Sequence, residues 1–461
     1  MSVLIIVFLT AVSVLFTGVF NQGKFARYVG ILGLGIALAV SYGSDCDFFA
    51  KYKPMFYFNG VAALYTKMVL AITLLIFFLG SFAFSNHRSH QSELYALILF
   101  SLCGGIILFG FQNLVTLFLG IEILSIPLYV IAGSTKTNIR SVEASMKYFL
   151  MGAFATGFLL FGIALVYGGA GSFDLGAIHN FSITNGKDTV FLLGVILMLV
   201  AMAFKVSLAP FHMWSPDVYQ GAPSLITSFM ASVVKIAGFA AFFKMMTMGF
   251  GGSFSGWIDI IAALVVITLI LSNLMGLAQT NAKRMLAYSS VSHAGYIALI
   301  FFGYNVASYY YMAFYLFAYS LATIGVFMNL IWVEKIKKET SFDAFCGLAK
   351  TEPLLALVSA VSLLSMAGIP LTAGFIGKFN IFSQAISGGA LLVVIVAIVG
   401  SALSIAYYLR LIIAMFFYKE TTFKTSESAS ITYKIVAVFV ILLLIALGVY
   451  PDLFAYQFGL N

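Results

Sequence analysis

Four ionisable residues stand in stretches of the chain where almost nothing else is polar. Glu122 lies in NLVTLFLGIEILSIPLYVIAG, with nine mostly apolar residues on either side; Lys205 lies in FLLGVILMLVAMAFKVSLAPFHMW, Lys235 in SLITSFMASVVKIAGFAAFFKMM and Lys378 in LLSMAGIPLTAGFIGKFNIFSQAI. A carboxyl and three amines take up and release protons, and at membrane depth such groups mark ion pathways and proton relays. The plainer readings are a protonated structural carboxyl for Glu122 and, for Lys205, an amine that reaches along its apolar stem to water. The second is disfavoured because the chain runs on past Lys205 into further apolar sequence. Lys244 is the contrast: it stands near the end of the helix that holds Lys235 and reads as an anchor reaching to the interface. Lys147, in EASMKYFLMGAF, is open between anchor and relay, and Arg410, in AYYLRLIIAMFFY, reads as an anchor or ion-pair partner.

Two of these lysines neighbour helix-breaking residues. Pro210 and Pro216 follow Lys205, while Gly368, Pro370 and Gly374 precede Lys378. Proline removes a backbone donor and frees a carbonyl one turn earlier. The hydrocarbon of a bilayer tolerates that only where the break is buried in protein or lines a watery cavity. Either break alone could be an ordinary kink. A pair in two parts of the chain, each beside a lysine, points to paired repeats in a transporter. His212 follows the first break in LAPFHMWSPDVYQGAP, where it either bonds a backbone carbonyl or relays protons. His293, in YSSVSHAGYIAL, is preceded by three serines that could hold a water chain with it.

These residues need a frame of membrane helices, and the composition demands one. Of 461 residues, 62% are hydrophobic and only 9% charged, against about 25% charged in soluble proteins. Windows of about 20 apolar residues give spans at 2–20, 26–43, 61–84, 94–110, 112–133, 144–169, 188–222 (interrupted), 223–248, 257–277, 284–303, 307–332, 353–387 (interrupted), 389–418 and 431–455, fourteen in all. The first span lacks the basic start and small-residue cleavage site of a secretory signal and reads as a retained helix. Continuous Leu-, Ile- and Phe-rich segments exclude a barrel of alternating strands.

Connections after odd-numbered helices hold Lys24, Arg27, Arg88, Lys136, Arg140, Lys283, Arg284, Lys335, Lys337, Lys338, Lys350, Lys419, Lys424 and Lys434; those after even-numbered helices hold only Lys51, Lys53, Lys67, Lys187 and Lys244. The positive-inside rule makes the first set cytoplasmic and puts both termini on the opposite face. The net charge of +8 is thereby explained without nucleic acid. The polar stretch 334–353 reads as a cytoplasmic linker. Cys46, Cys103 and Cys346 are far apart, so no local cluster or thiolate metal site is encoded. Phosphate loops, nucleophile elbows and metal-spaced histidines are missing, which leaves hydrolase and nucleotide-binding readings without residues.

Taken together, FLGIEILSIPLYVIAG, EASMKYFLMGAFATGFLLFGIALVYG, AFKVSLAPFHMWSPDVYQGAP, NAKRMLAYSSVSHAGY and GIPLTAGFIGKF resemble the antiporter-like membrane subunits of proton-pumping NADH:quinone oxidoreductase (respiratory complex I), most closely subunit N. The resemblance covers about residues 90–420. It implies an all-α fold with fourteen transmembrane helices, helices seven and twelve broken, and two inverted five-helix repeats. On that pattern residues 1–93 hold helices one to three, 94–248 the first repeat, 249–418 the second, and 419–461 the last helix. It further implies that Glu122, Lys205, Lys235 and Lys378 carry the proton; Lys147, His212 and His293 join them as candidates for the path from their own positions in the sequence. NADH, FMN, iron–sulfur clusters and quinone would belong to partner subunits, namely the neighbouring membrane subunits and the hydrophilic redox arm, and this chain would hold no cofactor. The location implied is the bacterial inner membrane. Two other readings share the architecture: a subunit of a multisubunit cation/proton antiporter, and a non-pumping structural subunit.

Overall fold

The computed structural model describes residues 1–20, 22–43, 54–58, 60–83, 90–418 and 428–458. Cys46, Lys51, Lys53, Arg88, Lys419 and Lys424 therefore lie outside the described residues. In chain order the helices are α1 (Ser2–Val19), α2 (Ala26–Val40), α3 (Gly60–Ala83), α4 (Gln91–Gly110), α5 (Leu114–Ala132), α6 (Ile139–Ala170), α7 (Leu175–Asn185), α8 (Thr189–Val206), α9 (Trp214–Gly221) and α10 (Ser224–Phe229). They continue as α11 (Lys235–Lys244), α12 (Phe254–Leu277), α13 (Ala282–Ala298), α14 (Val306–Lys337), α15 (Leu348–Thr351), α16 (Pro353–Ala367), α17 (Ala373–Ser387), α18 (Leu391–Phe417), α19 (Ile431–Val449) and α20 (Asp452–Phe458). Among the described residues the extended structure amounts to three isolated bridges. Lipid cannot satisfy an open strand, so each span pairs its own backbone.

Short polar side chains fix where several helices begin. Asn113 accepts from Thr116 N at 2.9 Å and starts α5 right after α4 ends, which separates two spans that sequence divides only at Gly110–Asn113. Asp188 caps α8 in the same way. Twelve helices among the described residues are long and apolar enough to cross a membrane. The expected spans 284–303 and 353–387 coincide with α13 plus a following 3-10 turn and with the α16–α17 pair. α7 matches no expected span; it is an eleven-residue helix capped by Asp174 between α6 and α8.

The centre of the bundle is formed by α14 and by the continuous helix from Ser224 to Gly249, which runs through α10, a π-helical segment Met230–Val234, α11 and a second π segment Met245–Gly249. Each is fully buried over its most apolar 18-residue stretch. A helix apolar on every side belongs inside a larger assembly of helices. Around them α6 packs on α8, α4 on α5, α12 on α13 and α18, and α14 on α16 and α17.

Both interrupted spans are broken: the first at buried Ser207–Ala209 followed by exposed Pro210, the second at half-buried Gly368 and Ile369 followed by exposed Pro370 and Leu371. Residues 207–213 separate α8 from α9, with Ser207 left-handed at φ 65°. The loose backbone finds partners: Leu208 N donates to Ala203 O at 2.8 Å, Ala209 N to Thr268 Oγ1 at 2.8 Å, and Trp214 Nε1 to Phe204 O at 3.1 Å. Residues 368–372 separate α16 from α17, with Gly368 at φ 86° and Leu371 at φ 71°. Pro210, Gly368 and Pro370 stand in the breaks themselves. Pro216 and Gly374 instead occupy the first turns of α9 and α17. There a proline gives up a donor that has no helical partner, and a glycine is required for close approach: a Cβ at Gly374 would lie 1.9 Å from Ser365 O.

Candidate proton path

Lys205 is the penultimate residue of α8 and is 8% exposed. Its Nζ donates to Ser125 Oγ on α5 at 2.5 Å, and Ser125 in turn donates to the Ile121 carbonyl. Ser125 stands three residues after Glu122, so both occupy one face of α5. Glu122 is half-buried, and its Oε1 accepts from Thr156 Oγ1 on α6 at 2.7 Å. Ser125, Thr156 and Lys205 line one cavity of about 20 Å³, enough for a single water. Each ionisable group is thus held by a hydroxyl of a neighbouring helix, with no direct contact between the two among the described residues.

From there the arrangement turns inward. A Cβ at Gly238 would lie 3.8 Å from Lys205 Cγ, and Gly238 is one turn past Lys235 on α11. Lys235 follows directly on the first π segment, a feature common at functional sites. Its Nζ donates to the Ser290 carbonyl and, at 2.6 Å, to Ser290 Oγ on α13, and lies 5.5 Å from the centre of the Tyr319 ring. One face of α13 continues the polar row. Ser289 and Tyr408 share a hydroxyl–hydroxyl bond, His293 Nε2 meets Tyr408 OH at 3.2 Å, and His293 Nδ1 meets Tyr315 OH at 2.7 Å. Tyr296 stands next along the helix, its ring 5.7 Å from the His293 ring. The Lys378 ammonium lies 4.6 Å from the Tyr296 ring centre and donates to Ser401 Oγ at 2.7 Å and to Ala367 O at 3.0 Å. Ala367 ends α16, so Lys378 satisfies a carbonyl that the break leaves free.

The remaining candidates stand apart from this row. His212 is buried in the first break, its ring 6.4 Å from that of Tyr288, and its Nδ1 has no protein partner among the described residues. Lys147 is 41% exposed and paired with Glu143 at 2.7 Å and Asp217 at 2.9 Å. The anchor reading of Lys244 is corrected: it is 7% exposed and donates inward to Phe109 O at 3.2 Å. Its place near a helix end suggested access to water, but that helix is enclosed on all sides, and the end of α4 beside it offers an unpaired carbonyl. Lys283, grouped with loop residues by its position, is 1% exposed. No three His, Cys, Asp or Glu side chains among the described residues gather where they could hold a metal ion.

The family described as NADH:quinone oxidoreductase/Mrp antiporter, TM, matches residues 111–404. The NADH-quinone oxidoreductase subunit N of Cytophaga hutchinsonii is 41% identical over 436 residues, covering 94% of this chain and 92% of that one. The chain belongs to the NADH-quinone oxidoreductase subunit N family. A chain of respiratory complex I from Thermus thermophilus with bound aureothin superposes with a TM-score of 0.80 at 34% identity, covering 98% of each chain. The Mrp complex from Dietzia sp. DQ12-45-1b contains a chain of the same fold, with a TM-score of 0.86 at 20% identity over 100% of this chain and 97% of that one. Fold alone therefore does not separate subunit N from an antiporter subunit; sequence does.

Within this subunit N family chain, depth in apolar sequence singles out the charged residues but not the groups that hold them. Thr156, Ser125, Ser401 and Tyr408 carry no such signal, since hydroxyls are common in membrane helices and usually bond their own backbone. Ser290 and Ser289 are the exception, because three serines just before His293 mark a polar face.

Proposed function

We propose that this chain is a proton-translocating membrane subunit of NADH:quinone oxidoreductase and that Glu122, Lys205, Lys235, His293 and Lys378 form its proton path. One observation supports the path above others: three buried lysines each place their ammonium on a hydroxyl of another helix, at Ser125, Ser290 and Ser401. A buried ammonium is costly unless it is hydrogen-bonded, and a bonded hydroxyl can pass a proton on.

Glu122 acts as the control. At about 4 Å and an effective dielectric near 20, opposite charges attract by about 4 kcal/mol. Approach of Glu122 to Lys205 holds a proton on the amine; separation, with each group on its own hydroxyl, lets it move toward Lys235 and along α13 to Lys378. The titrations are coupled, so protons belong to the row and not to single residues. The driving redox chemistry is that of partner subunits, which would hold NADH, FMN, iron–sulfur clusters and quinone.

The reading places the chain in the bacterial inner membrane with both termini periplasmic, on the strength of the lysine and arginine bias between loops. It also takes 94–248 and 249–418 as the two inverted repeats, each containing one broken helix. Purifying the chain with its partners from detergent-solubilised membranes tests the assignment. Flavin and iron–sulfur subunits co-eluting in fixed ratio are expected, whereas a complex of cation/proton antiporter subunits without them would overturn it.

A further inference from the structure

A second ionic cluster, outside the path, joins the two halves of the bundle. At the start of α13, Arg284 Nη1 donates to Asp217 Oδ1 of α9 at 2.7 Å and to Gln220 Oε1 at 3.1 Å. Its neighbour Lys283 donates to Ala222 O, in the corner between α9 and α10, at 2.6 Å and to Glu334 Oε1 of α14 at 3.1 Å. Glu334 also accepts from Ser224, the first residue of α10. Glu334 thus lies in the last turns of α14, not in a linker, and Lys283 is buried against it.

These contacts fall on α9, the half-helix beyond the first break. α9 is eight residues long, with the break after Lys205 at one end and the Ala222 corner at the other. Lys283 holds the Ala222 corner at its far end, Arg284 bonds Asp217 in its first turn and Gln220 in its last, and Lys147 of α6 adds a second bond to Asp217 at 2.9 Å. Lys283 stands seven residues, two turns, before Ser290, so both share one face of α13. Ser290 is the acceptor of Lys235.

We infer that Lys283 and Glu334, with Arg284, act as positioning residues that couple α9, the half-helix beyond the Lys205 break, to α13, so that a shift at Lys205 changes the acceptor offered to Lys235. The inference rests on the proton path proposed above. Lys283 acts through the Ala222 corner and Ser290 and touches no transferred proton itself.

The test uses inner-membrane vesicles containing the whole complex, and measures protons pumped per NADH oxidised together with the amount of assembled complex. Lys283→Gln and Glu334→Gln are each expected to lower the ratio by roughly twofold or more while quinone reduction continues. The double variant is expected to be no worse than either single one, since partners in one contact do not add. Ser224→Ala, which removes one of the two bonds on Glu334 and spares the ion pair, is expected to lower the ratio less, and it decides the question if the charge variants do not assemble. A merely structural role would reduce assembled complex without changing the ratio. An unchanged ratio in assembled Lys283→Gln or Ser224→Ala complex, or additive effects in the double variant, overturns the coupling. Lys205→Ala, run alongside, separates the two failures: if it stops pumping while Lys283→Gln does not alter the ratio, only the coupling falls.

Discussion

Lys205 Nζ rests on Ser125 Oγ at 2.5 Å, one turn along α5 from Glu122. The hydroxyl gives the buried ammonium an acceptor whenever the carboxylate is elsewhere. Ser125→Ala removes it, and an unmade hydrogen bond at a buried charged group costs about 1–3 kcal/mol. NADH-driven acidification of vesicles is expected to fall at least severalfold, whereas Ser125→Thr, which keeps the hydroxyl, is expected to pump near the normal rate.

The second break depends on two glycines in different ways. Gly368 has φ 86°, and a Cβ there would also lie 3.0 Å from Lys378 Cδ. Gly368→Ala is therefore expected to displace the Lys378 stem and reduce pumping in complex that still assembles. At Gly374 the obstacle is backbone, the Ser365 carbonyl at 1.9 Å. Overpacking a fixed core costs about 1–3 kcal/mol or more, so Gly374→Ala is expected to lower the amount of assembled complex, measured by native gel.

Lys244 separates burial from function. It satisfies the Phe109 carbonyl and lies 4.8 Å from the Phe111 ring centre, away from the row along α13. Lys244→Met is expected to destabilise the chain by about 1–3 kcal/mol, the cost of a buried acceptor left unpaired, and to leave protons pumped per NADH unchanged. A thermal-inactivation half-life and the pumping ratio, measured together, check both halves.

Lys147 is the opposite case. Half-exposed ion pairs contribute about 0–1 kcal/mol, and Lys147 bonds Glu143 and Asp217 outside the buried row. Lys147→Ala is expected to change the pumping rate far less than any change at Lys205, Lys235 or Lys378. A complete loss in assembled complex would return Lys147 to the path.

Much of the fold is legible in the sequence. Apolar sequence on both sides of Glu122, Lys205, Lys235 and Lys378 forbids an easy exit to water, so depth alone singled them out. Proline and glycine beside two of the lysines announced the breaks, because backbone chemistry is local. What depends on lateral neighbours was not legible. Lys244 and Lys283 stand at helix ends along the chain, yet adjacent helices bury both. Ser125 and Thr156 look like any membrane-helix hydroxyls until α5, α6 and α8 are packed together. α7 was missed because eleven residues of mixed polarity meet neither the length nor the hydropathy of a span.

Lys205 is the proposed carrier of protons through this chain. The most direct measurement is proton pumping by vesicles containing Lys205→Ala complex, normalised both to assembled complex and to NADH oxidised, beside unaltered vesicles. A large loss of protons per NADH with the complex assembled is the expected result. An unchanged ratio would contradict the claim and leave Lys205 a structural lysine on a serine.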